Sequence, residues 1–237
     1  MGSWRVGGYS AVLLVGCAAF STSGDDSKDA GSGATNDANS ACAGQHTVCM
    51  NFDHGPPGPP WNIANLGTTA TIVSAPEPVF SPPSSLKASI DATTGTGYPL
   101  ASVPLPASTK HVRCAAQLQV TDVSTIGGAT VLRLGTLTGA AYVQLSLEPS
   151  DLKLDTSAGG HELPSLQTNR FAEIAVEVST AGAGYITYSG PGGPVQVPLP
   201  APLADVAFTR ADFGLSPNGS ASKWTAYFDD IYCDVLP

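Results

Sequence analysis

The stretch that most constrains this chain is its last strand-like run, Lys223–Val235, which reads Lys-Trp-Thr-Ala-Tyr-Phe-Asp-Asp-Ile-Tyr-Cys-Asp-Val. It is the longest run rich in aromatic and β-branched residues, the side chains that suit a pleated, half-buried surface. Its apolar parity changes halfway. Trp224, Ala226 and Phe228 share one side of the pleat, whereas Ile231, Cys233 and Val235 share the other. A strand with one buried side keeps both sets inside only if one extra residue is inserted, so the sequence predicts a β-bulge at Asp229-Asp230.

A period of two recurs upstream. Val143, Leu145 and Leu147 alternate with Tyr142, Gln144, Ser146 and Glu148; Leu152 and Leu154 alternate with Asp151, Lys153 and Asp155; Ile174, Val176 and Val178 alternate with Glu173, Ala175 and Glu177. Turn clusters separate these runs at Gly127-Gly128, Pro149-Ser150, Ala158-Gly159-Gly160, Gly190–Gly193 and Pro217-Asn218-Gly219. The 26 glycines and 20 prolines are dispersed, which fits many turns rather than a collagen repeat. No amphipathic helix stands out. About a dozen short strands exceed an immunoglobulin sandwich and predict an all-β, two-sheet antiparallel jelly roll, with residues 42–237 forming one domain around one core.

The amino end reads as an address. Arg5 precedes a short apolar core, Ala11–Val15, too short to span a bilayer. Leu14-Val15-Gly16-Cys17 resembles a bacterial lipobox, which implies a signal peptide over residues 1–16 and a lipidated Cys17 as the first mature residue. Ala18 resembles the residue found in lipoproteins sent on to the outer membrane. Residues 18–41, almost devoid of apolar side chains, read as a disordered Ser/Gly/Asp tether. As a flexible coil it would hold the domain about 25–30 Å from the bilayer. The expected location is the bacterial cell envelope, with membrane contact through the anchor alone. A net charge of −9 argues against nucleic acid and anionic lipid surfaces as partners.

Of five cysteines, removing Cys17 to an acyl anchor leaves four, which permit three pairings. Cys42 and Cys49 are near neighbours and suit a small loop; Cys114 and Cys233 would then close a very long one. Both of the latter lie on core parity, Cys114 with Val112 and Leu118, and Cys233 with Ile231 and Val235. Four buried thiols are the alternative. The absence of C-x-x-C spacing, with His46 alone nearby, argues against zinc.

Several landmarks then converge on a family. Cys49-Met-Asn-Phe52-Asp53 precedes a proline-rich approach to Trp61; Ser81-Pro-Pro-Ser-Ser-Leu86 leads into a strand; Phe171–Val178 comes late; and Phe228-Asp-Asp-Ile231 closes the series. This order resembles concanavalin A-like lectin/glucanase sandwiches, especially the laminin G-like domains of bacterial surface lipoproteins, over most of residues 48–236. The resemblance implies that the first and last strands lie together at the heart of one sheet, with the Cys114 strand near the last one. It also implies that the acidic pair Asp229-Asp230 is structural.

The chemistry is harder to read. Retaining hydrolases of the resembling fold carry E-x-D-x-x-E on one strand, and the lyases carry Gln-x-His and Arg-x-Glu-Leu; none of these occurs here. Glu173 and Glu177 share one strand face but lie about 13 Å apart, beyond the roughly 5–9.5 Å of paired glycosidase carboxylates, so they read as a solvated face. Ser84-Ser-Leu-Lys87 has S-x-x-K spacing, yet residues three apart on a strand point to opposite faces. Asp53-His54 reads as a loop anchor, and His161-Glu162, which follows a glycine turn, reads as exposed. Asp229 and Asp230 are candidate calcium ligands, with Asp212 and Asp234 as helpers; the competing reading has one of them accepting N–H groups that a bulge leaves unpaired. No other cofactor is implied.

For binding, the outward-facing Tyr142, Gln144 and Glu148 on one strand, Tyr185 and Thr187 on another, and Arg133 on a third form the candidate ligand face. Trp61 and Trp224 read as packing residues. The expected function is non-catalytic recognition of a glycan or a surface protein, with no catalytic residue assigned. A divergent glycoside hydrolase or polysaccharide lyase on the same fold, or a purely structural envelope protein, is the alternative.

Overall fold

The structure is a computed structural model that describes Cys42 and residues 46–50, 52, 58–67, 69–91, 98–136, 139, 141–180, 184–190, 192–199, 203, 205, 207–218 and 223–237. The leader, Cys17, the tether and Asp53-His54 lie outside the described residues.

The described residues form fifteen strands: β1 (Val48–Met50), β2 (Asn62–Leu66), β3 (Ala70–Ala75), β4 (Ser85–Ile90), β5 (Tyr98–Pro104), β6 (His111–Asp122), β7 (Gly128–Gly135), β8 (Tyr142–Leu147), β9 (Leu152–Thr156), β10 (Gly159–Leu163), β11 (Ala172–Ser179), β12 (Tyr185–Gly190), β13 (Gly193–Pro198), β14 (Arg210–Asn218) and β15 (Trp224–Val235). They make two antiparallel sheets. Sheet I runs β13-β12-β11-β6-β15-β4-β3, with β1 also paired to β15; sheet II runs β10-β9-β8-β7-β14-β5-β2. The all-β sandwich read from alternation is the fold observed. No helix among the described residues is long and apolar enough to cross a membrane.

Alternation places one face of each sheet in a shared core. Val112, Cys114, Ala116, Leu118 and Val120 of β6 and Ile174, Val176 and Val178 of β11 meet Leu132, Leu134, Val143, Leu145, Leu152 and Leu154 from sheet II. Trp224, Phe228, Ile231 and Cys233 of β15 are all buried, so both parity sets of the last strand do reach the interior. The extra residue lies where the parity change puts it. Between two successive pairings β6 moves from Gln117 to Ala115, while β15 moves from Asp229 to Tyr232, one residue more. Asp230 takes the left-handed φ of 45°, the conformation that lets a bulged residue swing the chain back into register.

The bulge is also where β15 changes neighbours. Before it, Trp224–Phe228 pair with β4; after it, Ile231–Cys233 pair with β1. The first strand therefore lies beside the last, inside sheet I. A second irregularity lies at the start of the same pair, where β6 carries the extra residue between Asp122 and Val120. Nothing in the parity of β15 announces that one.

Cys42 pairs with Cys49, and Cys114 with Cys233. The second pair is directly opposed in the β6–β15 register. In sheet II, Gly214 of β14 has a φ of 140°, and a Cβ there would meet the Pro99 carbonyl oxygen at 2.1 Å. Only glycine permits β5 to approach that closely, and the register of β14 against β7 shifts over the same residues.

Candidate ligand-binding face

The outward side of sheet II is polar almost from edge to edge. Register places Asp155, Gln144, Arg133, Asp212, Ser102 and Asn62 in one continuous row across β9, β8, β7, β14, β5 and β2. A second row below it joins Lys153, Ser146, Thr130 and Ser216. Each residue faces out because its chain neighbours face in: Ala211 and Phe213 flank Asp212, and Leu132 and Leu134 flank Arg133, all of them buried.

The row is held in place by its own hydrogen bonds. Asp212 is only 5% exposed. Its carboxylate accepts from Ser102 Oγ at 2.6 Å and pairs with Arg210 at 2.9 Å, which satisfies a buried charge on both sides. Thr130 and Ser146 share a hydroxyl bond of 3.0 Å, and Asn218 Nδ2 donates to Ser146 at 3.1 Å. The Arg133 guanidinium sits 5.4 Å from the centroid of the Tyr142 ring, within cation–π range. Between these groups lies a cavity of about 140 Å³, lined by Arg133, Gln144, Arg210, Asp212, Ser216 and Asn218 among others. Such a floor offers fixed donors and acceptors on one face of the sheet, beside an aromatic ring.

Of the six residues assigned to the ligand face from sequence, the structure brings Arg133, Tyr142 and Gln144 together. Glu148 lies beyond the far end of β8 from Tyr142, about 20 Å along the chain direction, and packs over Gly128. Tyr185 and Thr187 belong to β12, on the outward side of the other sheet. The sequence does not point to Arg210, Ser102, Ser216 or Asn218 as binding residues, and it points to Asp212 only as a calcium helper. The Arg-x-Asp alternation around Ala211 is the signal that carried two of them.

Tyr185 and its neighbours form a separate group. Tyr185 Oη donates to Glu177, which His111 Nε2 also approaches at 3.2 Å, while Arg113 stands directly opposite Glu177 in the β6–β11 register. Glu177 is therefore a partnered carboxylate rather than part of a solvated face. Burial raises its pKa, but the hydrogen bonds from Tyr185 and His111 and the charges of His111 and Arg113 outweigh burial, and the carboxyl sits below its usual 4.5. The same bond to Glu177, followed by burial and the Glu177 charge, raises the Tyr185 pKa despite Arg113. The Tyr185 proton is thus committed to Glu177. A depressed carboxyl pKa means fewer protons bound in the folded than in the unfolded chain. The Glu177 contribution is complete above about 4.5 and is lost as pH falls through the folded value. Stability measured by denaturant melts should fall below pH 4.5, and Glu177→Gln should flatten that decline; an identical acid slope in the variant would refute the assignment.

Two same-face carboxylate pairs are spaced too widely for a hydrolase. Glu173 and Glu177 are separated as the sequence indicates, and Asp155 and Asp212 stand three strand spacings apart, about 14 Å, against roughly 5–9.5 Å for a glycosidase pair. Asp229 is fully buried. Its oxygens accept the backbone N–H of Phe80 (2.9 Å), Ser81 (3.0 Å) and Asp230 (2.9 Å) and the Ser81 hydroxyl. Burial pushes its carboxyl pKa up, against those four donors, which lower it. Asp230 also accepts from the Ser81 hydroxyl at 3.0 Å. Of the two helper carboxylates considered for calcium, Asp212 is on sheet II, and Asp234 is engaged with His46 at 2.9 Å and the Thr47 N–H.

This sandwich is shared with solved structures at low sequence identity. Cellulose-induced protein Cip1 matches with a TM-score of 0.63 at 17% identity, over 80% of this chain and 97% of that one. The binding domain of botulinum neurotoxin DC, solved in complex with rat synaptotagmin II, matches with a TM-score of 0.55 at 10% identity. That match covers 81% of this chain and 49% of the other, so this chain spans about half the length of the neurotoxin fragment. No family model matches the chain, and no curated protein matches it in sequence.

Proposed function

We propose that the domain is a non-catalytic recognition module that binds a glycan on the outward face of sheet II, carried at the bacterial envelope by a lipid on Cys17. The observation that supports this best is the row Asp155–Gln144–Arg133–Asp212–Ser102–Asn62. A saccharide presents adjacent hydroxyls that each donate and accept, and a row of amide, guanidinium, carboxylate and hydroxyl groups can answer several at once. Pre-bonding of Asp212 to Ser102 and Arg210 lowers the ordering cost of binding. Tyr142 supplies a ring face for the apolar side of a pyranose. The wide spacing of Asp155 and Asp212 and the engagement of the Tyr185 hydroxyl by Glu177 support recognition over hydrolysis or elimination.

A glycan array probed with the full chain in detergent tests the reading. Tyr142→Ala and Gln144→Ala should each weaken the strongest signal about tenfold, and unchanged binding by both would remove sheet II as the site. Release of reducing or unsaturated sugar ends from any bound glycan would overturn the non-catalytic part. Retention of a protein and of no glycan would move the partner to a surface protein, as in the neurotoxin domain solved with synaptotagmin II. Cys17→Ala should shift the chain from the detergent phase to the aqueous phase; continued detergent partitioning would refute the anchor.

A further inference from the structure

Sheet I carries a second groove, on the side of the sandwich away from the sheet II row. Its floor is the outward row formed by Gln117 of β6 and Glu173 of β11, which are direct register partners, and Ser189 of β12 also lines it. One wall is Phe80, from the loop before β4, and Phe171, just before β11. Their rings meet edge to face with centroids 5.8 Å apart. Arg170 and Gln167 continue that wall, and the groove encloses about 410 Å³.

Two features separate this groove from ordinary surface. Phe80 is 51% exposed although it is a large apolar ring, and burial would normally favour hiding it. It is also fixed there rather than left loose. The N–H groups of Phe80 and Ser81 both bond to the buried Asp229 carboxylate, so the β15 bulge presents the ring. The segment that carries Gln167, Arg170 and Phe171 is tied down as well, since the Asn169 N–H donates to the Val120 carbonyl of β6 at 2.8 Å. A rigid aromatic held open to solvent, over planar amides and a carboxylate, is a ready-made ligand surface.

We propose that this groove is a second carbohydrate site, in which the Phe80 ring stacks on the apolar face of a pyranose while Gln117, Glu173 and Arg170 engage its hydroxyls. The floor decides against an extended peptide. It lies over β6 and β11, inner strands of sheet I, and the edge strand β13 reaches the groove only through Gly193 and Pro194, of which Pro194 has no N–H to offer an added strand. The polar floor likewise suits hydroxyls better than apolar side chains. The site rests on different residues from those of sheet II and stands or falls without them.

Isothermal titration of the full chain in detergent with cellohexaose, xylohexaose and chitohexaose provides the test. At least one of these neutral hexasaccharides should bind, and Phe80→Ala should weaken it about tenfold or more. Tyr142→Ala should leave that binding in place, which separates this site from the sheet II face. Phe80→Ala retains the backbone bond to Asp229, so the fold is expected to persist. Gln117→Ala, which leaves both rings in position, should give a loss in the same direction. Binding of every hexasaccharide unchanged in both variants would overturn the proposal. So would the absence of binding in the unmodified chain, or loss of the same binding in Tyr142→Ala alone.

Discussion

Asp229→Ala is expected to destabilise the domain by about 3–5 kcal/mol, more than any substitution on either outward face. The carboxylate is fully buried and receives four donors, three of them backbone N–H groups from Phe80, Ser81 and Asp230. Removing it leaves these groups unanswered at the point where β15 exchanges β4 for β1, and each buried orphan costs about 1–3 kcal/mol. Partial access to water for the Phe80–Ser81 loop keeps the total below the sum. For a domain near 200 residues this is a fall in melting temperature of about 6–20 °C. Asp229→Asn should lie between, because one carbonyl oxygen still accepts while the new NH₂ meets N–H groups that also donate. A thermal melt of Asp229→Ala within 2 °C of the parent would show that the bulge does not depend on this side chain.

The same residue marks how far the sequence could be read. The parity change in Lys223–Val235 requires an inserted residue, and the place where it must go is fixed by the two acids, because neither belongs to either apolar set. What the sequence withholds is the partner. The donors come from Phe80 and Ser81, far along the chain, and no local pattern points to them.

The candidate face shows the corresponding limit. Alternation tells inward from outward, so Arg133, Tyr142, Gln144 and Tyr185 were all recognisable as surface-facing. It does not tell which of two sheets a strand joins, and on that point Tyr185 and Thr187 part from Tyr142. Asp212 shows a further limit. Its position opposite core residues Ala211 and Phe213 is readable, but its burial is produced by Ser102 and Arg133 on the neighbouring strands, and cross-strand neighbours are set by register. Alternation alone makes Glu177 look solvated for the same reason, since Tyr185 and His111 reach it from adjacent strands. The hairpin between β9 and β10 shows the local version: its turn falls on Ser157-Ala158, with Thr156 Oγ1 capping it by accepting the Ala158 N–H, while Gly159 and Gly160 already belong to the strand.

Removing the Cys114–Cys233 bridge should have an effect of similar size to that at Asp229, by a different route. The two residues are 119 apart in sequence and directly opposed on the central pair β6 and β15. Closing so long a loop restricts the unfolded chain by about 4–5 kcal/mol in the entropy model, against about 2–2.5 kcal/mol for Cys42–Cys49, whose separation is 7. Cys114→Ala/Cys233→Ala should therefore lower the melting temperature by about 8–20 °C, and Cys42→Ala/Cys49→Ala by about 4–10 °C. Order of reduction gives a second check. Cys114 and Cys233 are fully buried and should resist dithiothreitol until the sandwich opens, whereas Cys42 and Cys49, partly accessible at the start of the fold, should react first. Mass spectrometry of alkylated thiols during a dithiothreitol time course would resolve the two. Equal losses from the two double variants would show that chain entropy does not set the contribution of the long bridge. Early loss of Cys114–Cys233 in the native chain would show that the β6–β15 pair opens without the rest of the core.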